Sequence, residues 1–287
     1  MSDALMGTTE TANVSNARIA NLVQSYLVQE SKLLPLVTDY SALAAPGVKS
    51  IGLPRSGGFT VADKAENTAA SAQIVTYAAD TISLTTHKVV QFLVEKYASR
   101  EAQPGIVSDM IMKAGKDLAY AVDGIIATQL LDASSTTTGG LVDNVIDFND
   151  GSNNDFELAD VLNIRAKLQA KNIDPRECYL GLNPAKEKEA LAISSFIDAS
   201  AYGANEPIMN GVIGKVYGLN VVVSNVFESD SLVAWHPSAI GFAFAQGIQV
   251  QSQPDLAHLG TRYSLDLICG CTELDSGMRQ VLVEPHA

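Results

Sequence analysis

Val48-Lys49-Ser50-Ile51-Gly52-Leu53-Pro54-Arg55-Ser56-Gly57-Gly58 decides how the rest of the chain is read. Residues 48–53 are strand-like and stop at Pro54, and Arg55-Ser56-Gly57-Gly58 reads as a turn. Residues 59–79 are then small and polar, and Ala65-Glu66-Asn67-Thr68-Ala69-Ala70-Ser71-Ala72 is too weakly apolar to belong to a core. Residues 81–95, rich in Ile, Leu, Val and Thr with Phe92, read as one strand. Two strand-prone flanks around an uncommitted middle describe a long hairpin that stands away from its parent domain.

Outward from the hairpin, the clearest helix is expected over 108–131. Ile111, Ala114, Leu118, Ala121, Val122, Ile125 and Leu130 form one stripe, while Lys113, Lys116, Asp117 and Asp123 fall elsewhere. Such a helix would span about 36 Å, long for a chain of this size. Upstream, Ile19, Leu22, Val23, Tyr26 and Leu27 have helical spacing within 14–37, with Ser15 or Asn16 as cap and Pro35 as stop. That segment suits an arm that docks on something else. Downstream, a helix is expected after Asn154, with Glu157 completing a capping box, to about Lys171. Another starts at Asn183-Pro184 and runs to about Ile197, with a short buried strand over 177–182 before it. Residues 215–225 read as one β-branched strand. Ile240, Phe242 and Phe244 alternate, as do Ile248 and Val250, and Tyr263, Leu265, Leu267, Cys269 and Cys271 share a strand face. There is no repeat and no low-complexity tail. The order of elements gives an α+β class.

Composition narrows the function. The chain has 287 residues, 47% of them apolar and only 18% charged, against roughly 25% charged in an average globular protein. It is long enough for one large domain or two small ones, and disorder is excluded as a whole-chain description. Its 19 Lys and Arg against 32 Asp and Glu give a net charge of −13. A dedicated nucleic-acid or anionic-membrane binder needs the opposite sign. No run of 18 apolar residues offers a membrane span, and the polar N-terminus lacks a signal-peptide pattern. The expectation is a soluble protein made in the cytoplasm.

The chemistry-bearing residues do not assemble into a motif. Cys269 and Cys271 lack the second pair that a zinc site needs, with only Cys178 left over, so all three read as packing groups. The acidic stretch 147–157 fails a calcium-loop test, because Ile146 and Phe148 stand where oxygen ligands are required. His236, between Trp235 and Pro237, and His87 have no nucleophile elbow or partner motif nearby. Gly57-Gly58 and Gly139-Gly140 lack the spacing of a phosphate cradle, and Lys64 reads as a solubilising charge. No catalytic, cofactor-binding or metal-binding residue is assigned, and no cofactor is expected.

The whole pattern resembles the major capsid proteins of tailed phages. Ile51-Gly52-Leu53-Pro54-Arg55, the polar hairpin, 89–95 and the helix from Ser108 are similar to that family's E-loop and spine helix. Gly214-Lys215-Val216-Tyr217-Gly218-Leu219-Asn220-Val221-Val222-Val223-Ser224-Asn225 resembles the glycine-flanked strand of its axial domain, and Leu182-Asn183-Pro184 the preceding helix start. Residues 232–244 and the closing strand to Val283 resemble the return into its peripheral domain. The resemblance implies the Hong Kong 97 fold: an arm over 1–47, an E-loop over 48–95, a peripheral domain over 96–140 and 247–287, and an axial domain over 141–246.

It further implies a subunit that forms pentamers and hexamers and closes an icosahedral shell around double-stranded DNA without sequence-specific binding. The place is the virion, after synthesis in the bacterial host cytoplasm. A separate scaffolding protein, a portal and a decoration protein are the implied partners. No crosslinking lysine–asparagine pair is identified. An encapsulin-type bacterial shell is the alternative assembly, and a soluble enzyme using His236 or His87 the alternative of another class.

Overall fold

The computed structural model describes residues 23, 31–64, 66–67, 69, 72–75, 77–96, 106–132, 145–149, 155–192, 214–228, 230–275 and 279–285. The early strands are β1 (Thr38–Asp39), β2 (Ser50–Ser56), β3 (Tyr77–Ser83), β4 (Thr86–Glu95) and β5 (Val145–Asp147). Then come β6 (Tyr179–Leu182), β7 (Lys215–Val216), β8 (Leu219–Val223), β9 (Leu232–Trp235), β10 (Ile240–Asp255), β11 (Gly260–Glu273) and β12 (Gln280–Glu284). The helices are α1 (Ile106–Leu131), α2 (Leu158–Ala170) and α3 (Pro184–Ala192).

Three sheets result, with orders β1-β10-β11-β4, β5-β12-β9-β6-β8-β7 and β2-β3. α1 covers the first, burying Ile111, Leu118, Val122, Ile126 and Leu130 against Phe242, Ile248, Leu265, Leu267 and Cys269. α2 and α3 cover one face of the second through Val161, Ile164, Leu168 and Ala190. β9 knits the two cores together, because alternate residues of a strand point to opposite faces. Leu232 and Ala234 enter the core of α2, while Val233 and Trp235 enter that of α1. β12 does the same, with Val281 and Val283 on one side and Leu282 on the other. A strand buried on both faces must be apolar throughout, as Leu232-Val233-Ala234-Trp235 is.

The structure revises several expected elements. Residues 81–95 are two strands. Leu84 is buried in a small cluster with Ile51, Ile82 and Ala243, and its N–H donates to the Lys49 carbonyl at 2.9 Å. That insertion breaks the strand, so β3 pairs with β2 while β4 pairs with β11. Residues 215–225 likewise divide. Tyr217 and Gly218 have φ of 48° and 93°, the paired left-handed geometry that folds β7 back on β8 as a tight hairpin.

The cap of α2 lies three residues beyond the expected Asn154. Glu157 takes the cap position, Phe156 is thereby buried, and Asp160 accepts from the Glu157 N–H at 2.8 Å. α3 is described to Ala192, and its expected continuation lies outside the described residues. The apolar stripe of α1 also runs through Ala119, Ile126 and Ala127, with Ile125 only partly buried. Residues 240–255 form one strand beside β11, and the final strand β12 lies in the second sheet between β5 and β9. Of the expected arm segment 14–37, Val23 and residues 31–37 are described: Val23 is helical and buried, and Pro35 lies inside a 3₁₀ turn, Leu34–Leu36, rather than ending a helix.

Candidate assembly surface

Among the described residues the hairpin β2–β3 forms a two-stranded sheet of its own. Its register runs from Ser50↔Ser83 to Ser56↔Tyr77, with Pro54 opposite Ala79. Beyond this ladder the Gln73 side chain clasps Thr60, accepting from its N–H at 2.9 Å and donating to its carbonyl. Burial falls from the root outward. Ile51 and Ile82 are buried, whereas Phe59 is 73% exposed, Tyr77 76%, Val61 95% and Ile74 96%. Four large apolar groups on one thin projection are costly in water, since each forgoes about 1.5–3 kcal/mol of burial. Such a surface makes sense when another chain covers it.

At the root the geometry is specific. The Arg55 guanidinium donates to the Asp275 carboxylate, and the Asp275 N–H donates to Asp80 Oδ2 at 2.9 Å. Gly270 sits where a Cβ would lie 2.2 Å from the Ser83 carbonyl oxygen, so β11 can approach the base of β3 only with glycine there. At the far end of the first sheet, the turn between β10 and β11 exposes Leu256 and Leu259. Asp255 holds that turn, accepting from the Ala257 N–H at 2.9 Å and from Arg262 at 2.7 Å.

A third contact joins the segment before β1 to α1. Asp123 is buried in the apolar stripe and accepts from Ser31 Oγ, from the Lys32 N–H at 2.8 Å and from the Leu33 N–H at 3.1 Å. One carboxylate thus satisfies three donors of a segment 90 or more positions away in sequence. The sequence reading placed Asp123 off the stripe. Its neighbours Ala119, Val122, Ile126 and Ala127 are all buried, and that helical spacing was the available signal.

The residues singled out for chemistry remain scattered. His236 caps the turn 237–239, accepting from the Ser238 N–H at 3.2 Å, with its other ring nitrogen 3.4 Å from Glu177. His87 lies on the exposed side of β4, 3.2 Å from Asp266. The two histidines stand on different elements and share no partner. Cys178 lies in the core of α2 and Cys269 in that of α1, so the thiols do not converge. Burial pushes Cys178 up to about 12, helped by Asp174 and Glu177. It likewise pushes Cys269 to about 11 and Cys271 to about 12. Protonated buried thiols are neither nucleophiles nor ready metal ligands.

Among the described residues no group of three or more His, Cys, Asp or Glu could hold a metal ion. Of the acidic stretch 147–157, Glu157 holds Asn149 Nδ2 at 2.8 Å and Phe148 is buried, while 150–154 lie outside the described residues. Gly139-Gly140 also lies outside them. No described helix is long and apolar enough to cross a membrane.

Two cores joined by a shared sheet, one long helix and a hairpin with exposed apolar side chains make up the described fold. The family of phage capsid proteins matches residues 68–276, and the chain belongs to it. It is therefore a structural protein of the virion, and its fold is of the Hong Kong 97 type. A solved structure from Mycobacterium phage Che8 is similar, with 20% identity, a TM-score of 0.72, and 88% of this chain and 90% of that one covered. The capsid of Cyanophage P-SCSP1u has 14% identity and a TM-score of 0.73 over 88% of this chain and 86% of that one. A virus-like particle from Pyrococcus furiosus has 13% identity and a TM-score of 0.62, covering 94% of this chain and 99% of that one. No curated protein matches the sequence.

Proposed function

We propose that this subunit forms pentamers and hexamers and closes them into an icosahedral phage head around double-stranded DNA, each hairpin lying on a neighbouring subunit. The carrying observation is the hairpin itself, whose Phe59, Val61, Ile74 and Tyr77 have no cover within the described subunit. The first sheet with α1 then serves as the peripheral domain and the second sheet as the axial one. Low charge density suits a chain whose surface meets copies of itself, and a net −13 suits a container that does not grip its DNA. Synthesis in the host cytoplasm, a separate scaffolding protein, a portal and a decoration protein complete the reading. It has no enzymatic role for His236 or His87. An encapsulin-type shell has less support, because the family matched is that of phage capsids.

Replacing 58–75 with a short Gly/Ser turn tests this. The segment contributes little to the subunit's own core, so the circular dichroism and cooperative melt of the free subunit are expected to survive. Closed particles, seen by negative-stain microscopy of the unaltered protein, are expected to be lost. Closed particles from the shortened chain would overturn the docking role. Packaged protein in place of DNA in native particles would favour the encapsulin reading.

A further inference from the structure

We propose that Asp275 is a positioning residue: it fixes the angle at which the hairpin leaves the subunit and, through that angle, the curvature of the shell. The second half rests on the assembly reading above; the first half does not.

The apolar root alone cannot set an angle. Ile51, Ile82, Leu84 and Ala243 form a small cluster, and apolar burial is non-directional. Gly270 of β11 lies close against the Ser83 carbonyl at the base of β3 alone, whereas Asp275 touches both strands of the hairpin and adds the direction. Its carboxylate takes the Arg55 guanidinium of β2, and its backbone N–H reaches Asp80 of β3. Arg55 is opposite Ala78 and Asp80 opposite Leu53, so the two contacts lie on different strands and at different levels of the ladder. Two such attachments resist rotation as well as separation.

The clamp is itself tied to the body. Leu274 is buried, its N–H donates to the Ala239 carbonyl at 2.7 Å, and Arg279 Nε lies 3.8 Å from the Asp275 carboxylate. Asp275 has φ of 58°, a left-handed conformation that aspartate accepts more readily than most residues and that aims its N–H at Asp80. Leverage makes a small device consequential. The nine residues 56–64 reach up to about 30 Å beyond Arg55, so a 10° swing at the root moves the tip by roughly 5 Å. A shift of that size takes a docked side chain out of its place on a neighbour. Arg55 and Asp275 are both partly exposed, so their pairing adds little to subunit stability.

The test separates angle from stability and from assembly. Spin labels are placed on Ala62→Cys and Gln251→Cys, both exposed positions, with the chain lacking these two substitutions as the control for labelling of Cys178, Cys269 and Cys271. The parent protein is expected to give one narrow distance distribution. Asp275→Ala and Arg55→Gln are expected to broaden it with melting temperatures within a few degrees of the parent, and R55D/D275R to narrow it again. Unchanged distances in both single variants would overturn the clamp.

By microscopy, the single variants are expected to give mixed particle sizes where the parent gives one. Variant particles of the parent size, alongside broadened distances, would overturn the link to curvature. If the parent forms no closed particles even with its scaffolding protein present, the assembly reading fails, and the distances alone decide whether Asp275 sets the angle.

Discussion

Helix α1 and the hairpin β2–β3 use the same kinds of side chain in opposite relations to water. Leu118, Val122, Ile126 and Leu130 are at most 1% exposed, whereas the apolar groups toward the hairpin tip are mostly exposed. The helix uses its apolar surface for the subunit's own stability, whereas the hairpin leaves its apolar groups exposed within the described subunit, where the proposed assembly has a neighbour cover them. Stability and assembly are thus written in different segments, so each can be damaged without the other. Asp123 and Asp275 show the same division. Asp123 is buried among apolar neighbours and secures part of the fold. Asp275 is partly exposed and directs a part that projects.

The sharpest way to break the helix side of this contrast is Ile126→Asp. A carboxylate without a partner in that core is expected to cost about 4 kcal/mol or more, enough to unfold much of the subunit. Lys113→Ala, on the exposed side of α1, is expected to change stability by less than about 0.5 kcal/mol. Urea titration of the free subunit measures both, and equal effects would mean that the stripe faces elsewhere. Asp123→Ala comes next. It leaves Ser31 Oγ and the N–H groups of Lys32 and Leu33 without their acceptor, at an expected cost of about 1–3 kcal/mol. Proteolysis around 31–37 is expected to accelerate in that variant. Asp123→Asn, which keeps one acceptor oxygen, is expected to fall between.

What could be read beforehand follows from which forces are local. The extent of α1 was legible because its period of 3.6 carries over many turns, and only its first residues differ from 108–131. The projecting hairpin was legible because 62–73 holds no large apolar residue, but the exposure of Phe59, Val61, Ile74 and Tyr77 on either side was not. Strand partners were not. Residues 81–95 and 215–225 have uniform β propensity, but the burial of Leu84 and the left-handed turn at Tyr217-Gly218 divide them. β12 joins the second sheet through β5 and β9, contacts far apart in the chain with no local signature. Asp123 was assigned to the polar side because a charge usually is, and its partners lie in another segment. Asp275 was not singled out, because its partners Arg55 and Asp80 lie far away in the chain. The family resemblance carried the overall plan, since no single motif could.

The smallest effect probes the charge balance beside the clamp. Burial holds the Glu273 carboxyl above the usual carboxylate range, and the nearby charges of Asp132 and Asp80 push it the same way. The folded chain therefore keeps a proton on Glu273 at pH values where the unfolded chain has lost it. Stability from this group is present below the ordinary carboxylate range and declines as pH rises through the folded value, so at neutral pH the ionised group is a net cost. Glu273→Gln removes that charge and leaves an amide oxygen to accept from Gln280 Nε2, which lies 3.3 Å from Glu273 Oε2. Given partial exposure and solvent screening, the variant is expected to be more stable than the parent at pH 7 by up to about 1 kcal/mol. Acidification below the ordinary carboxylate range neutralises the parent's Glu273, and the advantage is expected to vanish. Urea midpoints of both proteins across that range supply the check. An advantage that persists in acid would trace to packing rather than charge, and a variant less stable at pH 7 would mean that the bond to Gln280 outweighs the repulsion from Asp80 and Asp132.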